Sequence, residues 1–515
     1  MVQPPARRGL ICAAVACAVF GAAPLRAQSA SDIEVLKRQM QELMRQNAEQ
    51  QKQIQRLQQQ VETLQQAPKA APVAAATPAG APPVKAAAAA PTPNEQEALD
   101  KALAEVQGPT TVTNPAGISA VSQPPMLSQR VGPAELRLID VSFDVLSAAG
   151  SSTVGGQELR DLQGGAHDPN RRGFTFQQGE LSLAGAVDPY FLGEAHMVFT
   201  DSDVELEEAY FLTTALPWDL QVKGGYYLTD FGRINPVHPH AWTFQDQPIV
   251  ITRMFGGEGM RSPGVEASWL APLPWFSQLT VGMQDGNEDD LTVSFLDGQG
   301  GIGNRPAVVT DVHTLQDFVY LARWANSWDI TPELTGLVGL SGTYGANTTG
   351  TDASTFVYGT DLTVKWRPND NFRGWPFVVW QSEVLARDYT AAAYTASGDP
   401  AFPNDLPSAI LRDAGFYSQL TWGFRYQWAA ALRGEYASGA GQSVDNGVLV
   451  SRENDPLRSD RARISPLLIY QPSEFSRLRL QYNYDNAKSL PGDHSASSVW
   501  LGIEFLYGTH PAHKY

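Results

Sequence analysis

The sequence predicts an all-β transmembrane barrel of about 16 antiparallel strands, preceded by an α-helical coiled coil. Three observations carry that prediction. From about Glu135 onward, runs of residues alternate apolar and polar with a period of two. The connections between those runs alternate between tight turns and long loops. Beyond the first two dozen residues, no stretch of about 18 continuous apolar residues occurs, so helical membrane spans are excluded.

Residues 1–27 read as a secretory signal. Arg7 and Arg8 form a basic start, Leu10 to Ala23 an apolar core, and Leu25-Arg26-Ala27 a small-residue cleavage site. The apolar run is too short to span a membrane. Cys12 and Cys17 both lie within it, without a lipobox, so the exported chain would hold no disulfide. The 515-residue chain carries a formal charge of -17. Removing the signal's three arginines leaves about -20, which argues against nucleic acid as a partner. Net charge does not set the sign of a pore, which depends on its local lining.

Residues 31–66 predict a coiled coil. Ile33, Leu36, Met40, Leu43, Asn47, Gln50, Ile54, Leu57, Val61 and Leu64 keep an unbroken heptad seam without Gly or Pro. Asn47 and Gln50 form a polar layer that fixes register. The expectation is self-association through Ile33–Leu64. Residues 67–133 read as an Ala/Pro-rich periplasmic spacer that cannot build a core, with a short helix over Asn94 to Val106.

Residues 134–515 form the predicted barrel. Ile139, Val141, Phe143 and Val145 alternate on one face; so do Phe318 to Trp324, Leu478 to Tyr484 and Val499 to Tyr507. Short links fall at Asp188-Pro189, Ala215 to Pro217, Pro272 to Trp275, Pro332, Pro368, Gln427 and Pro472. Long links span Ala148 to Arg172, Thr229 to Pro263, Asp285 to Thr314, Asp388 to Arg412 and Ser438 to Leu457. Short inner turns opposite long outer loops are the pattern of a membrane barrel. Trp218, Trp275, Trp328, Trp375 and Trp428 sit at the inner strand ends, where an interfacial girdle belongs. The chain ends in a polar tail, Gly508 to Lys514, before Tyr515.

Glu207-Glu208-Ala209-Tyr210, followed by Val222-Lys223-Gly224-Gly225-Tyr226-Tyr227-Leu228-Thr229-Asp230-Phe231-Gly232-Arg233, resembles a paired motif of the phosphate-selective porin superfamily, with Asp230 where that motif has proline. The order of signal, coiled coil, linker and barrel is similar to its coiled-coil-bearing, dicarboxylate-type members. The resemblance implies a trimeric outer-membrane channel for small anionic solutes. Counting strands, Thr229 to Pro263 joins the fifth to the sixth and is the third outer loop; by similarity to general porins, where that loop folds into the bore, it is expected to be the constriction. Asp230, Arg233, His238, His240, Asp246, Arg253, Glu258 and Arg261 are the charged and imidazole side chains of that loop and its exit.

With the apolar parity toward lipid, the other parity lines the lumen. That places Arg425, Arg433, Arg461, Arg463, Arg477 and Arg479 inside, joined by Lys223, Lys365 and Arg387. Glu180, Glu194 and Glu266 face them, with Asp230, Asp246 and Glu258 on the loop. Acid opposite base across a narrow bore orients polar and anionic solutes. Guanidinium groups bind carboxylate or phosphate with two parallel hydrogen bonds. The bland alternative is that these arginines pair with inward acids such as Glu383 and Glu435 and carry no traffic.

His238-Pro239-His240 has no framing metal motif, and neither a resident metal nor a cofactor is expected. Gly256-Gly257-Glu258-Gly259 reads as a hinge rather than a phosphate cradle. Asp285 to Asp290 lacks full calcium-loop spacing and reads as a solvated acidic loop. His196 faces the lumen without an identifiable serine partner, so no enzyme is expected. Two rivals stand beside the porin reading. One is a structural tether, with the coiled coil engaging the peptidoglycan layer and the barrel as a lipid-embedded anchor. The other is an uptake channel for a metal chelate, resting on the histidine pair.

Overall fold

In the computed structural model, residues 128–131, 134–137 and 139–508 are described. The expected signal, coiled coil and most of the expected linker, with the tail ending in Tyr515, lie outside the described residues. A short ribbon pairs Ser128–Val131 with Ala134–Arg137. A second ribbon pairs Ser443–Asp445 with Val448–Val450, and the main body is a closed, 16-stranded antiparallel barrel. Its strands are β1 (Asp140–Ser152), β2 (Gly173–Asp188), β3 (Phe191–Phe199), β4 (Val204–Thr213), β5 (Leu220–Leu228), β6 (Arg261–Leu270), β7 (Phe276–Gln284) and β8 (Val319–Thr331). They continue as β9 (Leu334–Ala346), β10 (Ser354–Trp366), β11 (Phe377–Ala391), β12 (Ala409–Arg425), β13 (Trp428–Ala440), β14 (Arg461–Ser473), β15 (Ser476–Ala487) and β16 (Ser495–Gly508). β16 pairs with β1 from Ser498 opposite Ser152 to Gly508 opposite Ser142, and this seam closes the wall.

The turns form where the side chains supply them. Asp188 accepts hydrogen bonds from the backbone N–H of Tyr190 and Phe191, at 2.7 and 3.0 Å, around Pro189. Gln427 takes the positive φ of the two-residue link between β12 and β13. Long loops stand at the opposite end. Because short turns face the periplasm in such barrels, that end is taken as outer.

The strands are inside-out relative to a soluble protein. Along β12, Phe416, Leu420, Trp422 and Phe424 are exposed, while Tyr417, Gln419 and Thr421 between them are buried. Leu432, Ile464, Leu480 and Leu501 extend the apolar outer face over neighbouring strands. A closed wall with an apolar exterior and buried polar side chains matches lipid, not water. No helix among the described residues is long and apolar enough to cross a membrane.

The lumen departs from the expected wet interior. Phe231, Ile234, Val250, Ile251, Met254 and Phe255 of the third outer loop (loop 3) pack against inward-facing Val319, Leu321, Val357, Leu385 and Tyr417. Nearer the turns, Phe244 packs on Ala429, Ala431, Leu467 and Ile469. Trp375 joins this inner cluster, so it is drawn to the lumen rather than the lipid girdle. The loop's apolar residues cannot remain in water without cost, and inward-facing apolar wall residues give them a partner.

Candidate functional site

Loop 3 runs from Thr229 to Met260 and is fastened to the wall along its whole path. It starts with a tight approach to β11. Gly232 has a φ of 64°, and a Cβ there would lie 2.2 Å from a Glu383 oxygen. Only glycine admits that approach. The backbone N–H groups of Arg233 and Ile234 each donate to Glu383 at 2.9 Å, and the Tyr417 hydroxyl donates to it at 2.6 Å. The Arg233 residue itself is only half-buried. Asp230 accepts the Lys223 ammonium at 3.2 Å, with Glu266 3.5 Å away.

The loop then crosses to the acidic wall. His238 enters with extended backbone, and Pro239 opens a single 3₁₀ turn, Pro239–Ala241. Proline's locked φ holds the two flanking imidazoles in a fixed relation, with ring centres 5.7 Å apart. His238 Nδ1 lies 3.0 Å from Glu207 and 3.3 Å from Glu180, and its Nε2 lies 2.7 Å from Glu208. His240 Nδ1 lies 2.8 Å from the second oxygen of Glu180. Burial disfavours an imidazolium at both positions. The facing glutamates outweigh it: Glu180 and Glu207 raise His238 well above the usual imidazole range, and Glu180 raises His240.

A local irregularity in the wall assembles those acids. Between β3 and β4 the register shifts after His196, which pairs with Glu208, while Met197 pairs with Leu206. Glu207 is the extra residue, so two consecutive glutamates are buried on the lumen side. The same register answers the question of a serine near His196. Ser182 is its cross-strand partner, with its hydroxyl 3.0 Å from Nδ1. That hydroxyl also donates to Glu180 at 2.9 Å, and Ser182 is buried. Its place is to hold the cluster.

Next the loop reaches the arginine wall. Asp246 is fully buried and accepts from Arg433, from Arg463 at 2.9 Å, and from Gln481 and Asn483 at 2.8 Å each. Burial pushes this carboxyl up, but Arg433 and Arg463 outweigh it and hold it well below the ordinary carboxylate range. Arg479 donates to the carbonyls of Trp242 and Phe244, at 3.2 and 3.1 Å. Arg477 donates to those of His240 and Trp242, and to Glu504. Arg461 and Arg463 both bond Asp485, at 2.9 and 2.8 Å.

Helix α1, Ile249–Phe255, follows. Glu435 accepts the Ile249 N–H at 2.7 Å, and the helix's apolar side chains pack against inward-facing wall residues. Gly256 ends it with a φ of 82°. Gly257 accepts a hydrogen bond from the Ala166 N–H of the first outer loop at 3.1 Å, and its Cα approaches that loop closely. The glycine run is therefore a packed crossing rather than a free hinge. Glu258 meets His167 at 3.3 Å and Arg261 at 3.4 Å.

Above the helix lies an outer cavity of about 740 Å³. Arg253, Arg305, Arg387 and Arg458 border it, as do Glu258, Asp290, Asp297 and Asp455. Asp413 sits beneath, bonded to Arg387 at 2.7 Å and to Arg458 at 3.2 Å. Arg253 donates to the carbonyls of Arg458 and Ser459. Burial, together with Arg387, Arg461 and Arg458 nearby, outweighs the help of Asp413 and brings Arg253 down to about 10.

The inward basic residues read from parity thus meet loop 3 or wall acids at Lys223, Arg387, Arg433, Arg461, Arg463, Arg477 and Arg479. Lys365 is half-buried. Arg425 is exposed at the inner rim, past a register shift between Trp422 and Arg425 that ends the alternation. Sequence reasoning missed Glu207 and Glu208 as lumen groups, and Gln481 and Asn483 as partners of Asp246. The polar positions Gln481, Asn483 and Asp485, alternating with Leu480, Tyr482 and Tyr484, were the available signal for the latter.

No family model matches the chain. An uncharacterized protein of Aquifex aeolicus (strain VF5) is 29% identical over 373 residues, covering 70% of this chain and 73% of that protein. Among solved structures, the outer membrane channel DcaP of Acinetobacter baumannii aligns over 72% of this chain and 97% of its own, at 12% identity and a TM-score of 0.45. An anion-selective porin from Comamonas acidovorans covers 72% and 99%, at 8% identity and a TM-score of 0.43. OprB of Pseudomonas putida covers 72% and 94%, at 10% identity and a TM-score of 0.43.

Proposed function

We propose that the chain is an outer-membrane channel for passive diffusion of small polar and anionic solutes, with loop 3 as its constriction. The observation that carries this reading is the outer cavity of about 740 Å³, bordered by Arg253, Arg387 and Arg458. Arg387 and Arg458 bond the buried carboxylate Asp413, and Arg253 lies within its field. Acids and bases are balanced around that cavity, so the anion preference is assigned to the guanidinium groups as binding groups and not to net charge: guanidinium suits carboxylate and phosphate oxygens. Phosphate-like and dicarboxylate-like solutes are the proposed cargo. The working unit is proposed to be a homotrimer, joined through Ile33–Leu64.

Reversal potentials across planar bilayers in a potassium chloride gradient test the reading. The wild type is expected to prefer chloride, and Arg253→Ala with Arg458→Ala to move the potential toward potassium. Absence of discrete conductance steps, or cation preference in the wild type, would reject it.

One observation favours a second reading. Loop 3 packs an apolar cluster against inward-facing wall residues, which suits a barrel that serves as an anchor for a periplasmic tether. Deleting residues 28–130 separates the two. Lost envelope adhesion, with no conductance in the full-length barrel, would support the tether; conductance that survives the deletion would support the channel.

A further inference from the structure

Pinning a loop to a barrel wall needs a few hydrogen bonds. At the acidic wall, loop 3 instead enters a buried group of three imidazoles and three carboxylates: His196, His238, His240, Glu180, Glu207 and Glu208. We propose that Glu180, His238 and His240 bind a divalent transition-metal ion, zinc by the chemistry of the donors. Glu207 completes the ligand set, and the ion fastens loop 3 to β2 and β4.

Three features argue for it. The first is spacing. One ligand atom from each of Glu180, His238 and His240 lies within 4.8 Å of the others. The Nδ1 atoms of His238 and His240 face the two oxygens of Glu180 at 3.3 and 2.8 Å, and Glu207 approaches His238 Nδ1 at 3.0 Å. Zinc bonds to nitrogen and oxygen of roughly 2.0–2.1 Å place tetrahedral ligands roughly 3.3–3.4 Å apart. Small side-chain shifts open the group to that size.

The second is the fixing of the imidazole. Glu208 lies 2.7 Å from His238 Nε2. A proton on that nitrogen leaves the Nδ1 lone pair directed at Glu180 and Glu207. A carboxylate on the far nitrogen of a ligating histidine is the usual companion of a bound metal. The third is preparation of the backbone. Pro239 sets the two imidazoles, and the β3–β4 irregularity turns both Glu207 and Glu208 inward. His196, with its ring centre 4.5 Å from that of His238, belongs to a second candidate set with Glu208 and His238. Both sets share His238, and the carboxylate Glu208 on its Nε2 leaves Nδ1 as the nitrogen offered to an ion. We assign the ion to the first set, because Glu207 also approaches His238 Nδ1 there, at 3.0 Å, while Glu208 stays on Nε2 as the companion carboxylate.

The same distances also suit imidazolium–carboxylate pairs without metal, so the experiment must separate the two. The full-length barrel, purified in detergent, is stripped with a chelator, reloaded with zinc and dialysed. Its metal content is measured by mass spectrometry, and the ligands by zinc X-ray absorption. One zinc per chain is expected, bound by imidazole nitrogen and oxygen at roughly 2.0–2.1 Å. His238→Ala and His240→Ala should lose stoichiometric zinc. Glu208→Gln should weaken it about 10- to 100-fold, and His313→Ala, in an exposed loop, should leave it unchanged. If the alanine variants fail to fold, the wild-type absorption spectrum decides alone. Retention by the wild type of no more zinc than a chelator-treated sample, or a spectrum without imidazole ligands, overturns the proposal. The readout is independent of conductance, so it stands or falls apart from the channel reading.

Discussion

Loop 3 is held at two walls by different chemistry. On the β13–β15 side, Asp246 sits between Arg433 and Arg463, with Gln481 and Asn483 completing its shell. Guanidinium groups stay charged at any physiological pH and do not ligate metals. On the β2–β4 side, imidazoles meet glutamates, and both groups take metal ions or exchange protons. One anchor is permanent and the other is adjustable. The difference suggests a loop that can loosen at one wall while remaining registered at the other.

The sharpest way to break the permanent anchor is Asp246→Asn. It leaves two buried guanidinium groups short of a carboxylate, although Glu435 and Asp485 still touch them. Removing one partner of a buried ion pair costs about 3–5 kcal/mol. The denaturant midpoint in detergent should fall accordingly, and single-channel recordings should show larger or noisier steps as the loop leaves the wall. Unchanged stability and conductance would mean that Asp246 does not hold the loop.

A smaller effect is expected at the start of the loop. Glu383→Gln keeps one acceptor oxygen but turns an amide N–H₂ toward one of the two backbone donors, Arg233 or Ile234. A buried donor left unmatched costs about 1–3 kcal/mol. Hydrogen exchange at Arg233 and Ile234 should quicken while exchange at Asp246 stays slow. Equal acceleration at both places would show that the anchors are one unit.

The division between legible and illegible residues follows from what a period-2 pattern encodes. Alternation gives the side of the wall a residue faces, and it carries Asp413, Arg433 and Arg479 to the lumen. It gives no distance, so it cannot tell an arginine that lines water from one that grips a loop carbonyl. It also fails wherever the register slips. Glu207 beside Glu208 looks like one inward and one outward residue until the bulge turns both inward. In loop 3, the mixed polarity hid a short helix. Ile249, Val250, Met254 and Phe255 are apolar at helical spacing after Pro248, but seven residues are too few to stand out from a loop. The apolar core of the lumen follows from that helix and was illegible with it.

The mildest test concerns a third contact, the His167–Glu258 pair between the first outer loop and loop 3, at 3.3 Å. Burial disfavours the His167 imidazolium, but Glu258 outweighs that and raises His167 from 6.5 to about 9. Glu258 is lowered: burial opposes its charge, and His167 more than compensates. The signs follow. Stability from His167 is fully present below about pH 6.5 and is lost as pH rises through about 9. Stability from Glu258 is present above the ordinary glutamate range and is lost on acidification. The clasp is therefore strongest near neutral pH and weakens toward pH 9, by at most about 3 kcal/mol. Proteolysis of the first outer loop should accelerate over that alkaline range in the wild type. His167→Gln should be faster at neutral pH and lose the alkaline dependence. If the wild type shows no alkaline change while Asp246→Asn remains destabilised, then loop 3 is held by its two walls alone, and the contact with the first outer loop merely follows.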